Sequence, residues 1–159
     1  MSLRITLAIS ALVAICLCVS RGRGDVVSPF TEVVARVSLT SQTDAIPETT
    51  LFTTTASGIY RVSAYAEVTN PSSETLAQSV CGKLSWSDDS SVRQGSTLFL
   101  NSGSGCLNLG GGISGQATSV IRVKAQTRVT FQISVPQGNS GAAQYGVFIV
   151  AERIWTPEV

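Results

Sequence analysis

Val129, Phe131, Ile133 and Val135 alternate with Arg128, Thr130, Gln132 and Ser134. A period of two puts every second side chain on one face of a pleated strand. Just upstream, Ile121 and Val123 alternate with Arg122 and Lys124, and Lys124-Ala125-Gln126-Thr127 is short and polar enough to reverse the chain. The stretch Ser119 to Val135 is therefore predicted to be a β-hairpin with one apolar and one wet face. A hairpin alone is marginal in water, so its apolar face requires more sheet to lie against.

The remaining chain supplies that sheet. Val33, Ala35, Val37 and Leu39 alternate with Val34, Arg36, Ser38 and Thr40 to give a first strand from Glu32. Thr49 to Thr55 is rich in β-branched residues and reads as a second. Ile59 to Thr69 is a third, with a mixed reverse face of Ile59, Arg61, Ser63, Tyr65 and Glu67. Leu76 to Trp86 and Val92 to Leu100 form a pair around the turn at Asp88-Asp89, and a Gly/Ser-rich loop holding Cys106 follows from Asn101 to Gly115. The last strand, Gln144 to Ile154, is apolar on both faces at Tyr145 to Ala151. Such a strand belongs in the middle of a sheet whose outer face is also covered. No apolar period of 3.6 runs for a dozen residues, so the cover is either the second sheet plus long loops or a neighbouring subunit. About eight strands without a helix predict an all-β, two-sheet antiparallel jelly-roll sandwich over residues 32–155.

Residues 1–20 do not belong to that sandwich. Arg4, the apolar run Ile5 to Val19 and the polar break at Ser20 to Gly24 describe a signal peptide helix. Cleavage is expected after Ser20, with Gly24 the alternative exit and residues 21–31 a flexible lead-in. The apolar run is shorter than the ~20 residues of a membrane anchor. The mature chain is thus expected to be secreted, extracellular or periplasmic, with no membrane association after cleavage. Arg23-Gly24-Asp25 matches a cell-adhesion tripeptide, but three residues are too few to assign one.

Removing residues 1–20 takes out Arg4 alone and leaves ten cations against ten carboxylates. That balance lacks the basic surplus a phosphate backbone demands, so no nucleic-acid partner is expected. Cys16 and Cys18 leave with the leader. An even pair in an exported chain, Cys81 and Cys106, is most simply one disulfide, against the alternative of two free buried thiols.

Composition also narrows the chemistry. The chain has no His, which removes Ser-His-Asp and Cys-His nucleophiles and histidine-ligated zinc. No cofactor, no metal and no enzyme activity are expected. Asp88 and Asp89 are neighbours whose side chains diverge in an extended turn. They read as a solvated turn or a possible ligand loop, with calcium the ion suited to such oxygens. Gly110 to Gly112 lack the following helix that a phosphate loop needs. Trp86, Trp155 and Tyr65 are the aromatics available to stack on a sugar ring.

Three places resemble the jelly roll of the tumour necrosis factor and complement globular-head superfamily. Gly58-Ile59-Tyr60-Arg61-Val62 is similar to its Gly-x-Tyr strand start, Val120 to Phe131 to its paired apolar strands around a polar turn, and Tyr145 to Val150 to its aromatic final strand. The turn has Gln126-Thr127 where the complement heads have Gly-Asp, and there is no collagen-like stalk. The resemblance implies a ten-strand sandwich assembled as a homotrimer, with the first, third and last strands near the axis, that binds rather than catalyses. Tyr65, Phe148 and Val150 are the interface residues expected on that reading. The partner would be an unknown protein or glycan. A carbohydrate-binding sandwich and a structural coat or appendage protein are the alternatives.

Overall fold

Alternating apolar positions fold into two stacked antiparallel sheets. The computed structural model describes residues 30–71, 79–99, 105–109, 114–135 and 143–155, all within the unit Phe30–Glu158. The expected leader, the lead-in before Phe30 and Gly110 to Gly112 lie outside the described residues. Nine strands run through them: β1 Phe30–Gln42, β2 Ile46–Thr53, β3 Gly58–Asn70, β4 Ser79–Ser87, β5 Arg93–Thr97, β6 Cys106–Asn108, β7 Ser114–Val123, β8 Arg128–Ser134 and β9 Gln144–Trp155.

The first sheet has the order β1-β9-β3-β7, the second β2-β8-β4-β5 with β6 also paired to β4. The order is nested. First strand pairs with last, second with second-last and third with third-last, while β4 pairs with both β5 and β6. A long hairpin folded over in that order is a jelly roll.

Two expectations need correction. Ser119 to Val135 is not a hairpin: β7 pairs with β3 in one sheet, and β8 pairs with β2 and β4 in the other. Alternation fixes which face of a strand is apolar, not which strand lies beside it. The four-residue turn carries the chain from one layer to the other. Cys106, expected inside a loop, instead begins the three-residue strand β6, where it is the register partner of Cys81. That strand also raises the count from eight to nine.

The crossing turn is held by Thr54, one of the few buried polar residues. Its hydroxyl donates to the Lys124 carbonyl at 2.7 Å, and the Gln126 amide donates to the Thr54 carbonyl at 3.0 Å. Gln126 sits at φ 56°, the left-handed region that costs a side-chain-bearing residue about 1 kcal/mol or more. Pro47 falls inside β2, which is tolerable because β2 is an edge strand whose outer amides need no partner.

The core lies between the layers. Val62, Ala64, Val147, Ile149 and Ala151 face it from the first sheet, and Val80, Leu84, Val129, Phe131 and Ile133 from the second. Phe52 of β2 and Tyr60 of β3 tie the layers together, with ring centroids 5.0 Å apart. Each large aliphatic or aromatic side chain so buried stabilises the fold by about 1.5–3 kcal/mol. Phe99 closes one end, where Gly82 leaves it room: a Cβ at Gly82 would stand 2.5 Å from the Phe99 ring.

Candidate interaction face

β9 lies between β1 and β3, as an apolar strand should. Its inner residues Tyr145, Val147, Ile149 and Ala151 are fully buried. Its outer residues are a different matter. Phe148 and Val150 are only half-buried, because no second layer lies on that side of the sheet among the described residues.

Register assembles the outer face row by row. Ser38, Phe148, Tyr65 and Gln116 make one row across the four strands, and Arg36, Val150, Ser63 and Thr118 the next. Glu152, Arg61 and Val120 follow. Tyr65 and Phe148 meet with ring centroids 6.1 Å apart, an attractive separation for tilted aromatic rings. The Tyr65 hydroxyl donates to Glu67 at 3.1 Å, and Ser63 and Thr118 share a hydroxyl hydrogen bond of 3.1 Å. Arg61 pairs with Glu152 at 2.7 Å. The polar groups are thus largely satisfied within the face, while Tyr65 is 38 % and Val120 64 % exposed. A shallow groove between Tyr65, Gln116, Thr118, Phe148 and Val150 runs along it. The three residues expected at an interface are therefore brought together on one open surface.

The Asp88-Asp89 turn joins β4 to β5, and its carboxylates are separately engaged. Asp88 accepts from the Ser90 amide at 2.9 Å and from Gln94 Nε2 at 3.1 Å. The hydrogen bond from the Ser90 hydroxyl holds its carboxyl below the usual range. Asp89 pairs instead with Arg122 of β7. No group of three or more His, Cys, Asp or Glu side chains gathers among the described residues.

Cys81 and Cys106 are joined as a disulfide, with Cα atoms 4.1 Å apart across β4 and β6. Trp86, a candidate platform for sugars, packs against the core, and the Trp155 side chain lies outside the described residues.

A second concavity escapes the sequence reading. On the outer face of the β2-β8-β4-β5 sheet, Glu48 of β2 accepts from the Thr130 hydroxyl of β8 at 2.7 Å and also pairs with Arg93 of β5. The Thr130 bond lowers the Glu48 pKa. Two strands, β8 and β4, lie between the ends of this arrangement in the sheet, and 45 residues separate them in sequence. The only local signal was the outward parity of Ser85, Arg93 and Thr130 in their strands.

No family model matches the chain, and no curated protein matches it. Among solved structures it is similar to the globular domain of zebrafish complement 1qA protein, with 13% identity and a TM-score of 0.43 over 79% of this chain and 98% of that one. It is also similar to the N-terminal part of a Clostridium thermocellum endo-1,4-beta-D-xylanase 10B, solved as CBM22-1-GH10 modules complexed with xylohexaose. There the identity is 8% and the TM-score 0.36 over 84% of this chain. This chain spans only 26% of the xylanase chain.

Proposed function

We propose that the mature chain is an exported, non-enzymatic jelly-roll module that self-associates through the outer face of its first sheet and binds a partner through its loops. One observation carries the reading: Tyr65, Phe148, Val150 and Val120 lie uncovered on a four-stranded face on which Arg61 and Glu152 are already paired. Interfaces are depleted of free charge at their centres and enriched in aromatics. The occupant that fits is a second copy of the chain. The number three follows from the sequence resemblance, which sets the first, third and last strands near the axis. Export is supported by the apolar run ahead of the domain and by the Cys81–Cys106 bridge, a bond that persists in oxidising compartments.

Mass in solution tests the proposal. Sedimentation equilibrium of the exported protein is expected to give the mass of three protomers. A strict monomer across the working concentration range overturns self-association. N-terminal sequencing of the same material is expected to begin at Arg21; a chain beginning at Met1 overturns export by leader cleavage.

A further inference from the structure

The outer face of the second sheet holds a groove of about 540 Å³ lined by Glu48, Ser85, Ser87, Arg93, Arg128 and Thr130, among others. Volumes of ~300–1,000 Å³ are usual for small-ligand sites. Its floor is unusual. Ser85 alternates with the core residue Leu84, so its side chain points outward, yet it is only 6 % exposed. The Ser85 hydroxyl has no hydrogen-bond partner among the described residues. A buried polar group left without a partner is costly, and in native proteins it calls for an explanation.

The surroundings supply one. Ser85 is the register partner of Thr130, and these two strands lie between β2 and β5. The Glu48–Arg93 pair must therefore pass over the Thr130–Ser85 row to meet. Both partners of that pair are substantially exposed, at 45 % and 61 %, and exposed pairs are weak and readily exchanged. Arg128 stands two residues before Thr130, on the same face, and makes no ion pair among the described residues. With Glu48 matched by Arg93, the groove keeps one positive charge in excess. Its other lining residues are Trp86 and the hydroxyl-bearing Thr50, Ser85, Ser87, Thr127 and Thr130, and hydroxyls both donate and accept. Trp86, partly buried against the core, also lines the groove and offers a sugar ring an apolar surface beside these hydroxyls.

We propose that this groove binds a carboxylate-bearing saccharide, with Arg128 holding the carboxylate and the Ser85 hydroxyl bonding a sugar hydroxyl beneath Glu48 and Arg93. The guanidinium fork of Arg128 suits a bidentate carboxylate contact. As the sugar enters, its hydroxyls replace the Glu48–Arg93 contact, donating to Glu48 and accepting from Arg93. The site lies on the opposite sheet from the proposed self-association face and does not depend on it.

Calorimetric titration of the full mature protein distinguishes the sources of such a sugar. The probes are 3′-sialyllactose, a glucuronate-containing disaccharide, lactose and a hexaglutamate peptide. At least one acidic sugar is expected to bind about tenfold or more tightly than lactose, as a charged hydrogen bond would give. The Arg128→Ala variant is expected to lose that preference, with Arg128→Lys recovering part of it. Ser85→Ala is expected to weaken binding severalfold at a melting temperature equal to or above that of the wild type, since the hydroxyl bonds nothing among the described residues and its burial is costly. Lactose binding as tightly as both acidic sugars, hexaglutamate binding as tightly as either, or an unaltered preference in Arg128→Ala overturns the proposal.

Discussion

Thr54 and Thr127 are joined by hydrogen bonds in both directions. The Thr54 amide donates to the Thr127 carbonyl at 2.9 Å, and the Thr127 amide donates back to the Thr54 hydroxyl at 3.2 Å. The β2–β3 and β7–β8 turns, two of those that pass the chain between layers, are thus one hydrogen-bonded unit. Replacing Thr54 with Val keeps the shape but leaves the Lys124 carbonyl and the Thr127 amide short of this partner. Loss of about 1–3 kcal/mol is expected, read as a lower urea midpoint at unchanged slope. Thr54→Ser should recover most of it. Equal stability of the Val variant would mean the turns hold without this hydroxyl.

The Tyr65–Phe148 contact makes assembly testable at one side chain. Phe148 is half-buried and outward-facing, so Phe148→Asp should leave the monomer fold intact by circular dichroism. It should nonetheless split the proposed assembly, because an unpaired carboxylate cannot be buried in a subunit contact. A folded variant of undiminished mass would place the association elsewhere.

The Cys81–Cys106 bridge closes a 25-residue separation and holds β6 to β4. Changing both cysteines to Ser is expected to cost about 2–5 kcal/mol. Chemical denaturation of the wild type with and without reductant should show the same difference. A double variant as stable as the wild type would show that pairing alone secures β6.

Tyr145 is buried, and its hydroxyl donates to the Asp44 carbonyl. Burial, with the Asp44 charge second, pushes its pKa up to about 12, above the ~10 of a free phenol. The folded state therefore prefers the neutral ring. That stabilisation is complete below pH ~10 and is lost as the pH rises through about 12. A phenolate absorbance step near pH 12 is expected in the wild type and should be missing from Tyr145→Phe. The variant should also be less stable near neutral pH by about 1 kcal/mol.

Much of this fold was legible in the strands and little in their partners. Val129, Phe131 and Ile133 alternate as half-buried strands must, and they face the core. Nothing in that alternation distinguishes a turn that folds β7 onto β8 from one that sends them to different sheets. The distinction rests on Thr54, 73 residues from Thr127. Tyr65 and Phe148 were found because each broke the inside–outside rule of its own strand. Glu48, Ser85, Arg93 and Arg128 broke no such rule. They become a site only when β2, β8, β4 and β5 lie side by side, and sequence spacing does not encode that order.

The nested pairing also sets a timetable. β9 fills the slot between β1 and β3, so the first sheet stays split until the last of the nine strands has left the ribosome. Neither half can close early, and acquisition of the native state should be a single late event, slow for a domain of this size because its pairings span so much chain. A polypeptide that ripens this late stays threadable through a translocation pore, and one cut short before Gln144 would carry two unzipped edges apt to seek strands from other molecules.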